Sequence, residues 1–424
     1  MAVWLKKLMD DEDARACKDI SDQACHHQPR SFLIHIVALS LTKTGDGLID
    51  PKLTLTWLLG ALGAPLGLTA WLVPVRESLS LLPQLAIASE LRKRPIRKTF
   101  WVVGSVVQGL CILAMAWVAF CLKGELAGIS ILALLAGFSL ARGVCSVAIK
   151  DVQGKTIAKN QRGKVSGYAA SVAGASVIVL GLAVAFGWFN SPGSALLGSL
   201  LVLAGLLWLV AAAVYQQLPE YEGATEGGKN GLKTAVKGFL TAMKNSRFRR
   251  FLFTRTLLLA SALMTPFLVA MAGKNNQHIE TLGVLLLASG LASFLSGPIW
   301  GRFADRSSRL VMCVAAMLTA LTGLITWLLG ASGNNWGFAI MIFAISVAHA
   351  GVRLGRKTYL IDMANSENRA TLVALSNTAI GIMLLVIGGL TAAIAQYLDA
   401  QWLVLMLSVL ALLAAVSAWF MDEA

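Results

Sequence analysis

Charge is scarce in this chain. Only 14% of its 424 residues are Asp, Glu, Lys or Arg, against about 25% for a typical soluble domain. That deficit argues against a soluble enzyme, and no catalytic or cofactor motif repairs it. There is no G-x-x-x-x-G-K-[ST] loop, no serine elbow and no H-E-x-x-H pattern, so neither ATP drive, nor catalysis, nor a cofactor is expected. The cysteines, Cys17, Cys25, Cys111, Cys121, Cys145 and Cys313, are scattered, and their spacing suggests no disulfide framework. Cys25-His26-His27 with Cys17 matches no standard zinc signature, so no metal is expected. No Asn-x-Ser/Thr acceptor survives the exclusion of Pro, which leans towards a bacterial protein. The first 30 residues are too charged for a secretory signal peptide.

What the chain does have is apolar length. It is 57% hydrophobic, with a mean hydropathy of +0.70. Runs of about 20 apolar residues recur throughout, each long enough to cross roughly 30 Å of hydrocarbon. The reading is an all-α polytopic membrane protein with 12 transmembrane helices. The expected spans are 33–57, 66–90, 100–122, 127–149, 166–187 and 195–217, then 249–272, 281–303, 310–330, 336–357, 371–396 and 402–420. They group as a tail at 1–31, a first six-helix bundle at 32–217, a linker at 218–247 and a second bundle at 248–424. In the tail, Trp4, Leu5, Leu8 and Met9 form an apolar stripe suited to the membrane surface. In the linker, Leu232, Val236, Phe239, Leu240 and Met243 repeat at helical spacing opposite Lys233, Lys237 and Lys244, a cationic amphipathic helix.

One short loop organises this pattern: Gly297-Pro-Ile-Trp-Gly301-Arg-Phe-Ala-Asp305-Arg306-Ser-Ser-Arg309. Its charges cannot lie in hydrocarbon, and its arginines mark a cytoplasmic surface. Asp305 is expected to pair with Arg306, with Arg309 or with a neighbouring basic loop. A degenerate copy precedes it. Pro83 and Pro298 are 215 positions apart, and at that offset Glu90 falls on Asp305 and Ala86 on Gly301. Further along, Arg142 stands nine residues before Asp151, and Arg353 nine before Asp362. Arg162 and Arg369 then open the next helix of each half. The chain reads as two copies of one six-helix unit.

The loop resembles the signature G-x-x-x-(D/E)-R-x-x-(R/K) of the major facilitator superfamily, with Gly301, Asp305, Arg306 and Arg309 in register. The resemblance covers about residues 32–420. It implies two pseudo-symmetric bundles, transport by alternating access and a cytoplasmic gate at this loop, with Glu90, Asp151, Arg162, Asp362 and Arg369 as further gate candidates. The first copy lacks the Asp-Arg pair and the leading glycine, so locking is expected to rest on the second. The fifth span holds Gly167, Gly174, Gly181 and Gly187 but no proline, which argues against the superfamily's drug antiporters.

Orientation follows from charge. With both ends inside, the cytoplasmic segments hold the bulk of the 36 Lys and Arg, and the outer loops hold only Lys123 and Lys274. The expected location is the plasma membrane, a bacterial inner membrane. The formal charge of +14 belongs to those loops and does not suggest nucleic acid.

Charges inside the spans are the candidate site, because each costs at least about 2.5–3.5 kcal/mol at mid-helix. Lys43, Asp46 and Asp50 are spaced to share one face of the first helix, where Gly45 and Gly47 are expected to allow a bend. The second span brings Arg76 and Glu77, with Ser80 and Gln84 on the Glu77 face; the fourth brings Arg142. At the repeat offset Lys43 maps to Leu258 and Asp46 to Ser261, so the charges belong to one half only. Asp46 is the expected proton carrier, with Arg142 its counter-charge. The competing reading is a set of purely structural ion pairs, Lys43–Asp46 or Arg76–Glu77. Lys52 is expected to snorkel outward, Arg255 to be interfacial, and His349 to be a hydrogen-bonded core residue. The expected function is secondary transport of a small polar or charged solute, proton-coupled, by a monomer in a lipid bilayer. The alternative is a non-transporting assembly factor or sensor on the same fold. The six site charges sum to zero and choose neither anion nor cation.

Overall fold

A computed structural model describes residues 20–188, 193–223, 225, 241–275, 278–329, 335–363 and 369–423. The tail stripe and the amphipathic stretch beginning at Leu232 lie outside the described residues, apart from Met243 and Lys244. Every regular element among the described residues is a helix. In order they are α1 (Asp22–His26), α2 (Gln28–Leu48), α3 (Thr54–Ala61), α4 (Leu66–Leu81), α5 (Gln84–Arg92), α6 (Lys98–Cys121), α7 (Gly124–Thr156), α8 (Arg162–Ala185) and α9 (Gly193–Gln216). The second half has α10 (Ser246–Leu257), α11 (Ala260–Asn275), α12 (Ile279–Ala304), α13 (Ser308–Leu329), α14 (Asn335–Met363), α15 (Arg369–Ile394) and α16 (Ala400–Trp419).

Ten segments are long and apolar enough to cross a membrane, α10 and α11 counting together. The other two crossings of the twelve are broken helices, and proline explains both breaks. The α2 helix, with Pro29 in its first turn, stops at Leu48. Pro51 offers no amide to continue the ladder, and the Asp50 carboxylate accepts the Lys52 amide at 2.7 Å. The first crossing therefore breaks at 49–53, not at Gly45 and Gly47 as expected. The second breaks at Leu82–Pro83, between α4 and α5. Glycine at 45 has another use: a side chain there would collide with the Trp208 ring on α9. Large apolar side chains such as Phe294, Ile299, Trp117 and Leu390 are more than half exposed on the outer surface, where hydrocarbon is their solvent.

Within the first half α9 packs on α6 and α2, and α7 on α6 and α4. Within the second, α16 packs on α13 and α11, and α14 on α12 and α13. The halves meet chiefly through α8 with α12 and α4 with α15, with lesser contacts of α11 on α3 and α4 and of α15 on α5. Residues near both chain ends share one face, here called the terminal face. Tyr359 donates to the Asp422 carbonyl there at 2.9 Å, and His27 stacks on Tyr221.

The seam is tight at the opposite face and open at the terminal one. A side chain at Gly283 would strike the backbone of Ala185, and one at Gly181 would press on Leu287. Nearer the middle, Ser78 donates to the Gly381 carbonyl at 2.7 Å. Towards the terminal face nothing lies near Gly167, Gly297 or Gly301. Ser166, Tyr168, Ala170 and Ser171 are exposed there. The halves thus enclose a wedge that opens on the terminal face.

Each half is tied shut by a carboxylate that follows its last helix. Glu220, with no exposed side-chain surface, pairs with Lys155 at 2.5 Å. It also accepts the amides of Arg97 at 2.9 Å and Lys98 at 2.6 Å, at the start of α6. Glu423 likewise accepts from Ser307 at 2.9 Å and pairs with Arg309 at 2.9 Å, at the start of α13. Both satisfy donors at a helix N-terminus, where the dipole favours an anion. Cys25 is half of a disulfide, which the scattered cysteine spacing did not suggest.

Glu220→Gln keeps the volume but removes the charge from three donors. A loss of about 1–3 kcal/mol is expected, read as a lower thermal midpoint of the purified protein in detergent. Glu90→Gln, which loses only an exposed pair with Lys93, is expected to leave the midpoint unchanged.

Candidate functional site

The central charges form two groups. The first lies wholly in the first half. Asp46 on α2 receives both Arg76 of α4, at 3.0 Å, and Arg142 of α7, one on each carboxylate oxygen. Aromatic packing positions this triad. The Trp208 ring closes on Gly45, Phe138 meets Trp208 edge-on at 5.4 Å, and the Arg76 guanidinium lies over Phe138 at 4.9 Å. A cavity of about 150 Å³ adjoins it, lined by Thr42, Lys43, Gln108, Arg142, Ser146 and Trp208 among others. Neither pair of the competing structural reading forms: Lys43 donates to the Ser166 carbonyl at 3.1 Å, and Arg76 pairs with Asp46, not Glu77. Protonating Asp46 would leave two guanidiniums without their shared counter-charge.

The second group spans the seam. Asp50 is not on the Lys43–Asp46 face, because α2 has already ended; it caps the break instead. The same break turns Lys52 inward. Its ammonium meets His349 Nε2 of α14 at 2.9 Å, so it does not snorkel. His349 Nδ1 meets the Ser261 hydroxyl at 3.1 Å, which makes this histidine a hydrogen-bonded residue as expected, but one at the junction of the halves. Glu77 lies within electrostatic reach of Lys52, Arg353 and Arg356. Ser80 donates to the Glu77 carbonyl and Gln84 to that of Ser80, so both serve the bend of the second crossing. Arg255 is not interfacial. It is 6% exposed and donates to Ser376 and, at 2.9 Å, to Asn377 of α15. Sequence reasoning used Arg353 only as a marker of the repeat and gave neither it nor Arg356 a place in the site; their signal was their place on a long apolar helix.

The gate candidates divide differently. Asp305 and Arg306 are exposed and form no ion pair among the described residues. Arg309 turns to Glu423 and to the carbonyls of Trp419 and Met421. The expected Asp305 pair is thus absent, because the C-terminal segment takes Arg309 and the open wedge keeps the first half's loops away. Gly301 faces open space. Glu90 pairs with Lys93 at 2.6 Å. Asp151 pairs with Arg97 at 2.5 Å and Lys155 at 3.7 Å. Arg162 donates to the carbonyls of Ile157 and Gly154, closing the end of α7. Asp362 is exposed and makes no ion pair among the described residues. Arg369 begins α15, and its side chain lies outside the described residues.

A family model described as Major Facilitator Superfamily matches residues 256–424. Two halves joined through α8–α12 and α4–α15 also superpose on solved transporters over nearly their whole length. The fold is that of the major facilitator superfamily. A nucleoside transporter, NupG, is similar at TM-score 0.70 and 14% identity, covering 92% of this chain and 99% of that one. A D-xylose–proton symporter is similar at TM-score 0.69 and 10% identity, covering 92% and 97%. Uncharacterised proteins of Mycobacterium tuberculosis and Mycobacterium bovis are each 26% identical over 186 residues, 43% of this chain. The match spans 36% of the length of those relatives. The chain is a multi-pass membrane protein of major facilitator fold.

The tight end of the seam depends on Gly283. Gly283→Val is expected to part α12 from α8 at the face opposite the termini. A cysteine at Ser261 should then react faster with an impermeant maleimide added from that face than in the Gly283 parent. Equal rates would show that this contact does not seal the seam.

Proposed function

We propose that this protein is a proton-coupled secondary transporter of a small polar or charged solute. The observation that carries the reading is Asp46, a carboxylate at the middle of the first crossing that joins α2, α4 and α7 through two arginines. It lies in the half whose repeat counterpart, Ser261, is neutral. A membrane-embedded acid is costly unless it serves pairing or function. Here its charge state decides whether two arginines have a partner. Protonation frees Arg142 and Arg76, and deprotonation recaptures them, so a proton changes how three helices hold together. The solved relatives named above as a nucleoside transporter and a proton symporter favour transport over an assembly or sensing role, and a wedge open to one face suits alternating access. No ATP-binding loop occurs in the sequence, so the drive is assigned to an ion or solute gradient.

The terminal face is assigned to the cytoplasm of a bacterial plasma membrane, since the loops there are rich in Lys and Arg. The wedge is then inward-facing. In the outward-facing state the signature loop would close on the first half, bringing Asp305 to basic residues that it does not reach here.

Asp46→Asn mimics the protonated acid permanently. It is expected to abolish accumulation driven by a pH gradient in proteoliposomes while solute exchange persists. Accumulation at the parent rate would remove Asp46 from the coupling role. Arg142→Lys keeps the charge without the planar fork and is expected to transport better than Arg142→Ala. For the gate, Asp305→Asn is expected to favour the inward-facing state. A cysteine at Ser166 should label faster from the cytoplasmic side in that variant; unchanged labelling would count against gating by Asp305.

A further inference from the structure

The two halves keep the same arginine and only one of them keeps its acid. Arg142 and Arg353 occupy matching places, each nine residues before an aspartate. Arg142 is neutralised by Asp46. The residue that matches Asp46 in the second half is Ser261, whose hydroxyl is already engaged with His349 at 3.1 Å and the Leu258 carbonyl at 2.9 Å. Arg353 is left exposed in the middle of an apolar helix, with no ion pair or hydrogen bond among the described residues. It shares the helix face of His349, four residues earlier, which meets Lys52 across the seam at 2.9 Å, and it lies within electrostatic reach of Lys52 and Glu77.

Arg353 is not alone. Arg356, partly exposed, also makes no ion pair or hydrogen bond among the described residues, and it lies within electrostatic reach of Arg353, Glu77 and Arg255. Arg255 donates only to neutral oxygens, those of Ser376 and Asn377, and its buried Nε has no partner. Lys52 completes the group through His349. Four cations therefore face two carboxylates, Glu77 and Asp50, and Asp50 is occupied by its own turn. While the wedge is open, water solvates Arg353 and Arg356. Closure around a solute removes that water, and an unpaired buried cation costs several kcal/mol. The missing counter-charge must come from outside the protein.

We propose that the solute is an organic anion carrying at least two negative charges, held by the guanidiniums of Arg353 and Arg356 with Arg255 behind them. Planar forks of this kind match carboxylate and phosphate oxygens. The assignment rests on the transport reading above, because it treats the wedge as the solute's path.

Thermal midpoints of the purified full-length protein in detergent test it, with succinate, glucose 6-phosphate and inorganic phosphate as anions, phosphatidylglycerol as an anionic phospholipid, glucose as a neutral control and putrescine as a cation. At least one organic dianion is expected to raise the midpoint saturably, while glucose and putrescine do not. Arg353→Gln and Arg356→Gln should each weaken that effect about tenfold or more. Arg353→Lys should retain part of it, and Lys274→Gln, in the exposed last turn of α11, all of it. Should Arg356→Gln not fold, the Arg353 pair of variants carries the test. Stabilisation by glucose or putrescine instead, by inorganic phosphate alone, or by an anionic phospholipid alone would overturn the proposal, as would the absence of any anion effect or one that survives both glutamine variants. Counterflow in proteoliposomes separates the two readings. Dianion binding without counterflow sinks transport and leaves the anion class standing. Counterflow of glucose sinks the anion class and leaves transport standing.

Discussion

A charge at the middle of a membrane must be paired or wet, and the interior of this protein is arranged around that constraint. Two solutions stand side by side. Around Asp46 the charges are paired: one acid holds two arginines from two other helices. Across the seam they are left accessible: Arg353 is exposed and Arg356 partly so, with no ion pair among the described residues. The first arrangement closes a half upon itself. The second can close only when something else brings charge or when water stays.

Much of the fold was legible because a bilayer demands unbroken apolar length. Ten crossings announce themselves in this way. The two-fold repeat, read from Pro83 and Pro298, recovered the other two, and both proved to be broken helices. What remained hidden was where they break. Gly45 and Gly47 look like hinges in a helix that must bend, yet close packing on Trp208 accounts for Gly45. The break belongs to Pro51, whose missing amide ends the ladder and throws Lys52 inward instead of outward. A charge near a presumed helix end snorkels only if the helix continues straight, and here it does not.

Legibility of the site followed the same division. The pairing of Asp46 with Arg142 follows from two charges at mid-membrane depth in one half, each unaffordable alone. Arg76 was visible, but only the competing reading gave it a partner, Glu77, its neighbour in sequence, which points the other way around the helix. The seam cluster was out of reach, because its members come from α14, α10 and the break after α2, and no spacing along the chain brings these together. Glu220 and Glu423 were missed for a further reason. They follow the last helix of each half, where a carboxylate reads as a solvated end, and only the packed structure shows both reaching back to a helix N-terminus.

Those two carboxylates bear on how the halves could move. Each fastens the sixth helix of its half to the start of the third: Glu220 at Arg97 and Lys98, Glu423 at Ser307 and Arg309. The fastenings lie within halves and none crosses the seam. Contacts across the seam run mainly through α8–α12 and α4–α15, and there they rely on small residues, as where Gly283 meets Ala185. Strong ionic ties inside each half, against small-residue packing and the Lys52–His349 and Ser78–Gly381 hydrogen bonds between halves, favour motion of two rigid bodies over deformation of either. On the proposed reading, Arg309 is then a fixed part of the second half, held by Glu423 in the open wedge. That leaves Asp305 and Arg306 as the charges of the signature loop free to meet the first half when the wedge closes.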